Sequence, residues 1–159
     1  MENRLLKSFR LPAAILFMGF ALSAQAADPI VGTWKLNVSK SKYDPGPAPK
    51  SLTAKIEAAG EGEKLTADGV RGDDSIIRVE YTAQFDGKDY PISGSPMADT
   101  VSLKRLDANT TERTDKKGGK VVQTLTRKVS SDGKTATITI KGTDAEGRPI
   151  NHLAVFEKQ

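Results

Sequence analysis

From Ile30 to the end of the chain, apolar and polar residues alternate with a period of two, broken by turn-forming clusters about every 8 to 12 residues. That spacing belongs to an all-β sandwich or barrel. Trp34 and Leu36 share one face of a first strand, and Leu52, Ala54, Ile56 and Ala58 share one face of a second that ends at Gly60-Glu61-Gly62. A weaker segment, Lys64–Arg71, precedes the longest alternation, Ser75–Phe85, in which Ile77, Val79, Tyr81, Ala83 and Phe85 face one way. Asp86-Gly87 predicts a tight type I′ hairpin into a short return, Lys88–Ile92. Further strands are expected over Thr100–Leu106, Thr110–Thr114, Lys120–Ser130, Thr135–Gly142 and Ile150–Lys158, about ten in all. Fourteen threonines suit pleated, half-exposed surfaces. Lys40–Lys50 holds three prolines and reads as an ordered surface loop, because each proline lacks a ladder donor.

Strands joined mostly by tight turns form a meander, and a meander leaves two exposed edges unless it closes. The predicted fold is therefore all-β, an up-and-down antiparallel β-barrel of about 8–10 strands. Residues 1–26 depart from this pattern. Arg4, Lys7 and Arg10 precede the apolar stretch Leu11–Leu22, and Ala24-Gln25-Ala26 has the A-x-A form of a cleavage site. The stretch falls short of the roughly 20 residues of a bilayer span, so the expectation is a signal peptide over 1–26 and a single domain over 27–159. Removing Arg4, Lys7, Arg10 and Glu2 from 24 basic and 20 acidic residues leaves 21 and 19, a formal +2 against +4 for the whole chain. With these charges interspersed, no nucleic-acid partner and no stable membrane insertion after cleavage are expected. The chain has no cysteine, which excludes disulfides, thiolate metal sites and a cysteine nucleophile. Export without cysteines suits a bacterial periplasmic or secreted location.

Three segments carry a resemblance. Gly32-Thr33-Trp34-Lys35-Leu36 resembles the first-strand motif of the calycins, which include lipocalins and intracellular fatty-acid-binding proteins. Thr124–Val129, ahead of Asp132-Gly133-Lys134, is similar to the fatty-acid-binding-protein strand that carries an inward arginine. Ala154–Lys158 resembles that family's terminal strand. Trp34-Lys35-Leu36-Asn37 and Tyr43–Pro47 also resemble a bacterial exported family described as lipocalin-like. The resemblance implies a lipocalin-like barrel, with Trp34 at its closed end under a basic side chain. Two departures argue against fatty acid as the ligand. Ala154 and Phe156 stand where the family presents Arg and Tyr, and Lys40–Lys50 occupies the place of its helical lid.

Parity places Gln123 and Arg127 on the apolar side of their strand, and Arg105 with Val101 and Leu103. An inward guanidinium needs a carboxylate, water or an anionic ligand beside it. The candidate ligand contacts are Arg127, Gln123, Arg105 and the aromatic Tyr90, around a cavity of about 300 Å³ or more touching Arg127. The competing reading pairs Arg127 internally, with Asp99 or Glu80 for instance, or brings it out at a rim. Only six aromatic residues lie beyond residue 26, thin lining for a large lipid pocket. His152 is the sole histidine and reads as a partly exposed strand residue. Asp73-Asp74 lacks the ligand order of a calcium loop and reads as a solvated turn. No catalytic set, metal site or cofactor is expected. The expected function is an exported small-molecule-binding protein for an apolar or amphipathic ligand. The alternative is a structural or protein-interaction module with a self-filled barrel and no ligand.

Overall fold

The alternation is realised as ten strands in a computed structural model that describes residues 27–159; the expected signal peptide lies outside the described residues. The strands are β1 Gly32–Leu36, β2 Ser51–Ala59, β3 Gly62–Val70, β4 Ile76–Gln84 and β5 Tyr90–Ser93, then β6 Thr100–Arg105, β7 Thr110–Lys117, β8 Lys120–Val129, β9 Thr135–Thr143 and β10 Pro149–Lys158. Each pairs with its sequence neighbour, and β10 closes on β1 through Trp34↔Lys158, Lys35↔Glu157 and Leu36↔Phe156. All pairings are antiparallel, so the ladder has no free edge. The predicted up-and-down barrel is the observed architecture.

Two strands, β3 and β7, extend two or more residues beyond the expected bounds. β3 reaches back to Gly62 because its inward positions are Glu63, Leu65 and Ala67, a face that starts with a charged residue. β7 runs three residues beyond Thr114 because its inward set is Thr111, Arg113 and Asp115, which carries no apolar signal. The Asp86-Gly87 turn also differs from the expected type I′ hairpin. Only Gly87 has positive φ, and the link between β4 and β5 spans residues 85–89. Asp86 organises it, accepting from Lys88 N at 3.0 Å and from Tyr90 Oη at 2.9 Å. Gly118-Gly119, with φ of 55° and 76°, forms the two-residue link between β7 and β8.

Because successive strands reverse direction, their connections gather alternately at two ends. Residues 27–31, 60–61, 85–89, 106–109 and 130–134 form the base; residues 37–50, 71–75, 94–99, 118–119 and 144–148 form the mouth. Trp34 plugs the base. It is 2 % exposed, its indole N–H donates to Ile30 O at 2.8 Å, and Lys158 Nζ lies 5.0 Å from its ring centroid. The cation over the ring contributes roughly 0.5–2 kcal/mol. Leu36, Ile56, Tyr81, Val101, Leu103, Val129 and Phe156 pack into the same apolar cluster.

Candidate functional site at the barrel mouth

The lumen divides into a filled middle and an open mouth. In the middle, Arg127 on β8 reaches across to Glu63 on β3, Nη2 to Oε2 at 2.5 Å. These strands stand on opposite sides of the barrel, so the pair is a strut through its axis. Glu63 also accepts from Tyr81 Oη at 2.7 Å, and Arg127 Nε donates to Thr111 Oγ1 at 3.2 Å. Glu63 and Tyr81 are diagonal neighbours on adjacent strands, since Glu63 opposes Ala83 and Leu65 opposes Tyr81.

A second group lies beside the strut. Arg113 holds Asp115 through two bonds of 2.5 and 2.7 Å, and Gln123 Nε2 donates to Asp115 Oδ2 at 2.6 Å. The Arg113 guanidinium sits 5.1 Å from the Tyr81 ring centroid. Burial, with the nearby Glu63 charge, pushes the Tyr81 phenol well above its ordinary range. Burial alone would lower the Arg113 pKa, but Asp115 outweighs it and drives the value up. Among the described residues, every fully buried side-chain nitrogen and oxygen has a hydrogen-bond partner. The barrel middle is therefore a closed polar core.

This arrangement corrects the cavity expectation. The spaces that touch Arg127 hold only about 50 Å³ and 30 Å³, far below 300 Å³. Its partner is neither Asp99 nor Glu80: Asp99 accepts from Gly118 N at 2.9 Å, and Glu80 pairs outside the barrel with Lys64 at 3.0 Å. The parity of Glu63 with Leu65 and Ala67 was the available signal for an inward carboxylate. No comparable signal marked Asp115, whose strand is polar on both faces.

The large cavity is at the mouth, with a volume of about 550 Å³. Tyr43, Pro45, Pro47 and Pro49 form its roof, Ile77, Met97 and Ile150 its apolar walls, and Gln123 and His152 its polar floor. Arg71, Asp73, Asp144, Glu146 and Arg148 line its rim. The roof is fixed at both ends. Lys42 exchanges backbone bonds of 2.7 and 2.8 Å with Leu153, Asn151 N donates to Asp44 O at 2.8 Å, and Lys50 N donates to Val70 O at 2.8 Å. Between these anchors Pro47 rests on Gly72, where an added Cβ would come within 2.7 Å of the proline ring. His152 is a further, partly exposed anchor: its Nδ1 accepts from Asp44 N at 3.0 Å, and its ring lies 4.8 Å from that of Tyr43. Burial pushes the Tyr43 phenol up to about 12.

At the rim, Arg148 bonds Asp144 at 2.6 Å and Glu146 at 3.1 Å. Desolvation would raise the Asp144 carboxyl, but the Arg148 backbone and guanidinium donors hold it below the usual range. Arg71 donates to Ile76 O at 2.8 Å and Ser75 Oγ at 3.3 Å, and has no carboxylate within 4.0 Å among the described residues. It is the rim cation left open to an acidic or hydrogen-bonding group.

The four sequence candidates thus occupy three levels. Gln123 lines the chamber and Arg127 spans the middle. Arg105 and Tyr90 stand at the base: Arg105 packs 4.4 Å from the Phe85 ring centroid and bonds Asp28, and Tyr90 bonds Asp86. The structure does not bring these two together with the other pair. Sequence reading passed over Tyr43, Arg71, Met97 and the roof prolines as site residues, since their meeting depends on three separate mouth segments.

Among solved structures, zebrafish ileal bile acid-binding protein, crystallised in complex with cholic acid, is similar over 82 % of this chain and 99 % of its own, with a TM-score of 0.51 and 13 % identity. The likeness is one of fold, a closed antiparallel β-barrel. No protein-family model matches the sequence, and no curated protein does. In this barrel, the segment between β1 and β2 is a single 3₁₀ turn, Val38–Lys40, followed by the proline-rich roof. Among the described residues, no three His, Cys, Asp or Glu side chains cluster to hold a metal, and no helix is long and apolar enough to cross a membrane.

Proposed function

We propose that this protein binds a small apolar or amphipathic molecule in the mouth chamber, after export to a bacterial periplasm or the cell exterior. The single observation that carries the reading is the roofed space of about 550 Å³, apolar on its walls and polar at its floor and rim. That volume falls within the range of small-molecule sites, which combine mostly apolar lining with a few placed polar groups. The similar barrel of the ileal bile acid-binding protein holds cholic acid, an amphipathic molecule, which supports the ligand class. In this reading the ligand's polar end meets Arg71 or Gln123, and Arg127 acts as a strut beneath the site. The role is binding without turnover, supported by the engagement of His152 with Tyr43 and Asp44.

The test is native mass spectrometry of protein expressed with residues 1–26 and recovered from the periplasmic fraction. The expected species begins at Ala27 and retains a molecule that organic solvent extracts. In parallel, Ile77→Trp fills the chamber and is expected to weaken binding of the neutral dye N-phenyl-1-naphthylamine at least tenfold. Wild-type protein with neither retained ligand nor dye binding refutes the proposal. It would favour an interaction module, a second reading motivated by the filled middle, where the space beside Arg127 and Glu63 is only about 50 Å³. A chain found in the cytoplasm with residues 1–26 intact would refute the export part alone.

A further inference from the structure

The roof of the chamber is held by an unusual donor–acceptor pair. The backbone N–H of Asp44 donates to a side-chain imidazole, His152 Nδ1, at 3.0 Å. The next residues of the roof offer little to replace this bond, because Pro45, Pro47 and Pro49 have no N–H to donate. A neutral imidazole has one acceptor nitrogen, whereas an imidazolium has two donors and no acceptor. Protonation of His152 therefore sets an N–H against the Asp44 N–H and breaks the anchor. We propose that His152 is a pH-sensitive latch, which fastens the Asp44 segment of the proline-rich roof to β10 when neutral and loosens it when protonated, while the Lys42–Leu153 and Lys50–Val70 backbone bonds keep the roof tethered at both ends.

The surroundings bear on the sign. From the roof, Tyr43 packs on the ring and Asp44 presents its carboxylate; from the β9–β10 turn come Asp144, Glu146 and Arg148; across the chamber stand Arg71 and Asp73. On the adjacent strand the register partner is Ile140, and β8 offers the uncharged Gln123. Asp44 favours the charged ring, but desolvation is larger and holds His152 below the usual imidazole value of 6.5. A ring that binds its proton less readily when docked keeps the Asp44 bond fully made above about pH 6.5. As pH falls, the undocked ring protonates first and weakens the Asp44 anchor, by up to about tenfold per pH unit until the docked ring itself titrates.

This latch rests on the chamber reading for its purpose but not for its test. Amide hydrogen exchange on the chain from Ala27, at pH 7.5 and 5.0, reads the Asp44 and Asn151 protection factors, with Tyr81 in the barrel middle as control. Asp44 protection is expected to fall about threefold or more on acidification while Tyr81 stays constant. His152→Gln keeps an acceptor oxygen that takes up no proton and is expected to lose the pH response; His152→Ala is expected to lower protection at both pH values. Equal Asp44 protection at both pH values in the wild type, or an undiminished response in His152→Gln, overturns the latch. The same samples titrated with N-phenyl-1-naphthylamine separate the two ideas. Dye binding that weakens several-fold at pH 5.0 only in the wild type supports both. An Asp44 response without dye binding at either pH supports the latch and refutes the chamber ligand. Dye binding with an unresponsive Asp44 refutes the latch and leaves the binding role standing.

Discussion

Arg127→Met isolates the axial strut from everything else in the barrel. Methionine retains a long apolar stem, so packing along Leu125 and Ile138 is largely kept, while Glu63 loses its counter-ion. Glu63 is 2 % exposed and Arg127 9 %, which places this pair in the class where removing one partner costs about 3–5 kcal/mol. The structure points to the low end. Tyr81 Oη still donates to Glu63 Oε1 at 2.7 Å, and the void of about 50 Å³ beside Oε2 has room for a water. A loss of about 3 kcal/mol in a domain of this size lowers Tm by about 10 °C, at roughly 3–4 °C per kcal/mol. Urea unfolding at pH 7, followed by Trp34 fluorescence and far-ultraviolet circular dichroism, measures it. Glu63→Leu alone orphans Arg127 and is expected to cost a similar amount. The double variant replaces a buried ion pair with apolar side chains and is expected within about 1 kcal/mol of wild type, a coupling of several kcal/mol. Single variants that each lose less than 1 kcal/mol, or a double variant that loses their sum, would refute the strut. Dye affinity in Arg127→Met should stay within about twofold of wild type; selective loss in a folded variant would return Arg127 to the ligand site.

Three further outcomes follow from the geometry. Trp34→Phe removes the indole donor from Ile30 O and weakens the contact with Lys158, and is expected to cost about 2 kcal/mol in urea unfolding without changing dye affinity. Arg105→Gln and Tyr90→Phe alter the base, so chamber binding of the dye should remain within about twofold of wild type; a larger loss would move the site to that end. In an alkaline absorbance titration at 295 nm, Tyr90 should ionise before Tyr43, which burial holds at about 12, and Tyr81 should ionise last, with the larger desolvation. All three shifts are upward relative to the unfolded chain, so stability falls as pH rises above about 10. Simultaneous ionisation of all three near pH 10 in folded protein would contradict the buried positions of Tyr43 and Tyr81.

Period-two patterning told most about β4, β8 and β10, whose inward residues are apolar over several positions. It told least about β7, where Thr111, Arg113 and Asp115 face inward and leave no hydrophobic phase to follow. Parity correctly aimed Arg127 into the barrel, and Gln123 with it. Arg105 shares parity with Val101 and Leu103, yet it ends β6 at the base, where the strand runs out of lumen and the side chain turns to Phe85 and Asp28. His152 shares the inward face of Ile150, Ala154 and Phe156, and its position at the mouth makes it an anchor for the roof.

The sequence by itself determined the ribbon: which segments extend, where they turn, which side chains share a face, and that a meander of this length closes its edges. The first three are local properties, written in neighbouring residues, and closure follows from the cost of leaving two edges open. Only the tertiary structure decided that Glu63 meets Arg127 from 64 residues away, that polar side chains fill the barrel middle, and that four mouth segments come together to line an open chamber. Curvature and stagger of the closed sheet select which strands oppose each other across the lumen, and neither is encoded in the alternation of any one strand.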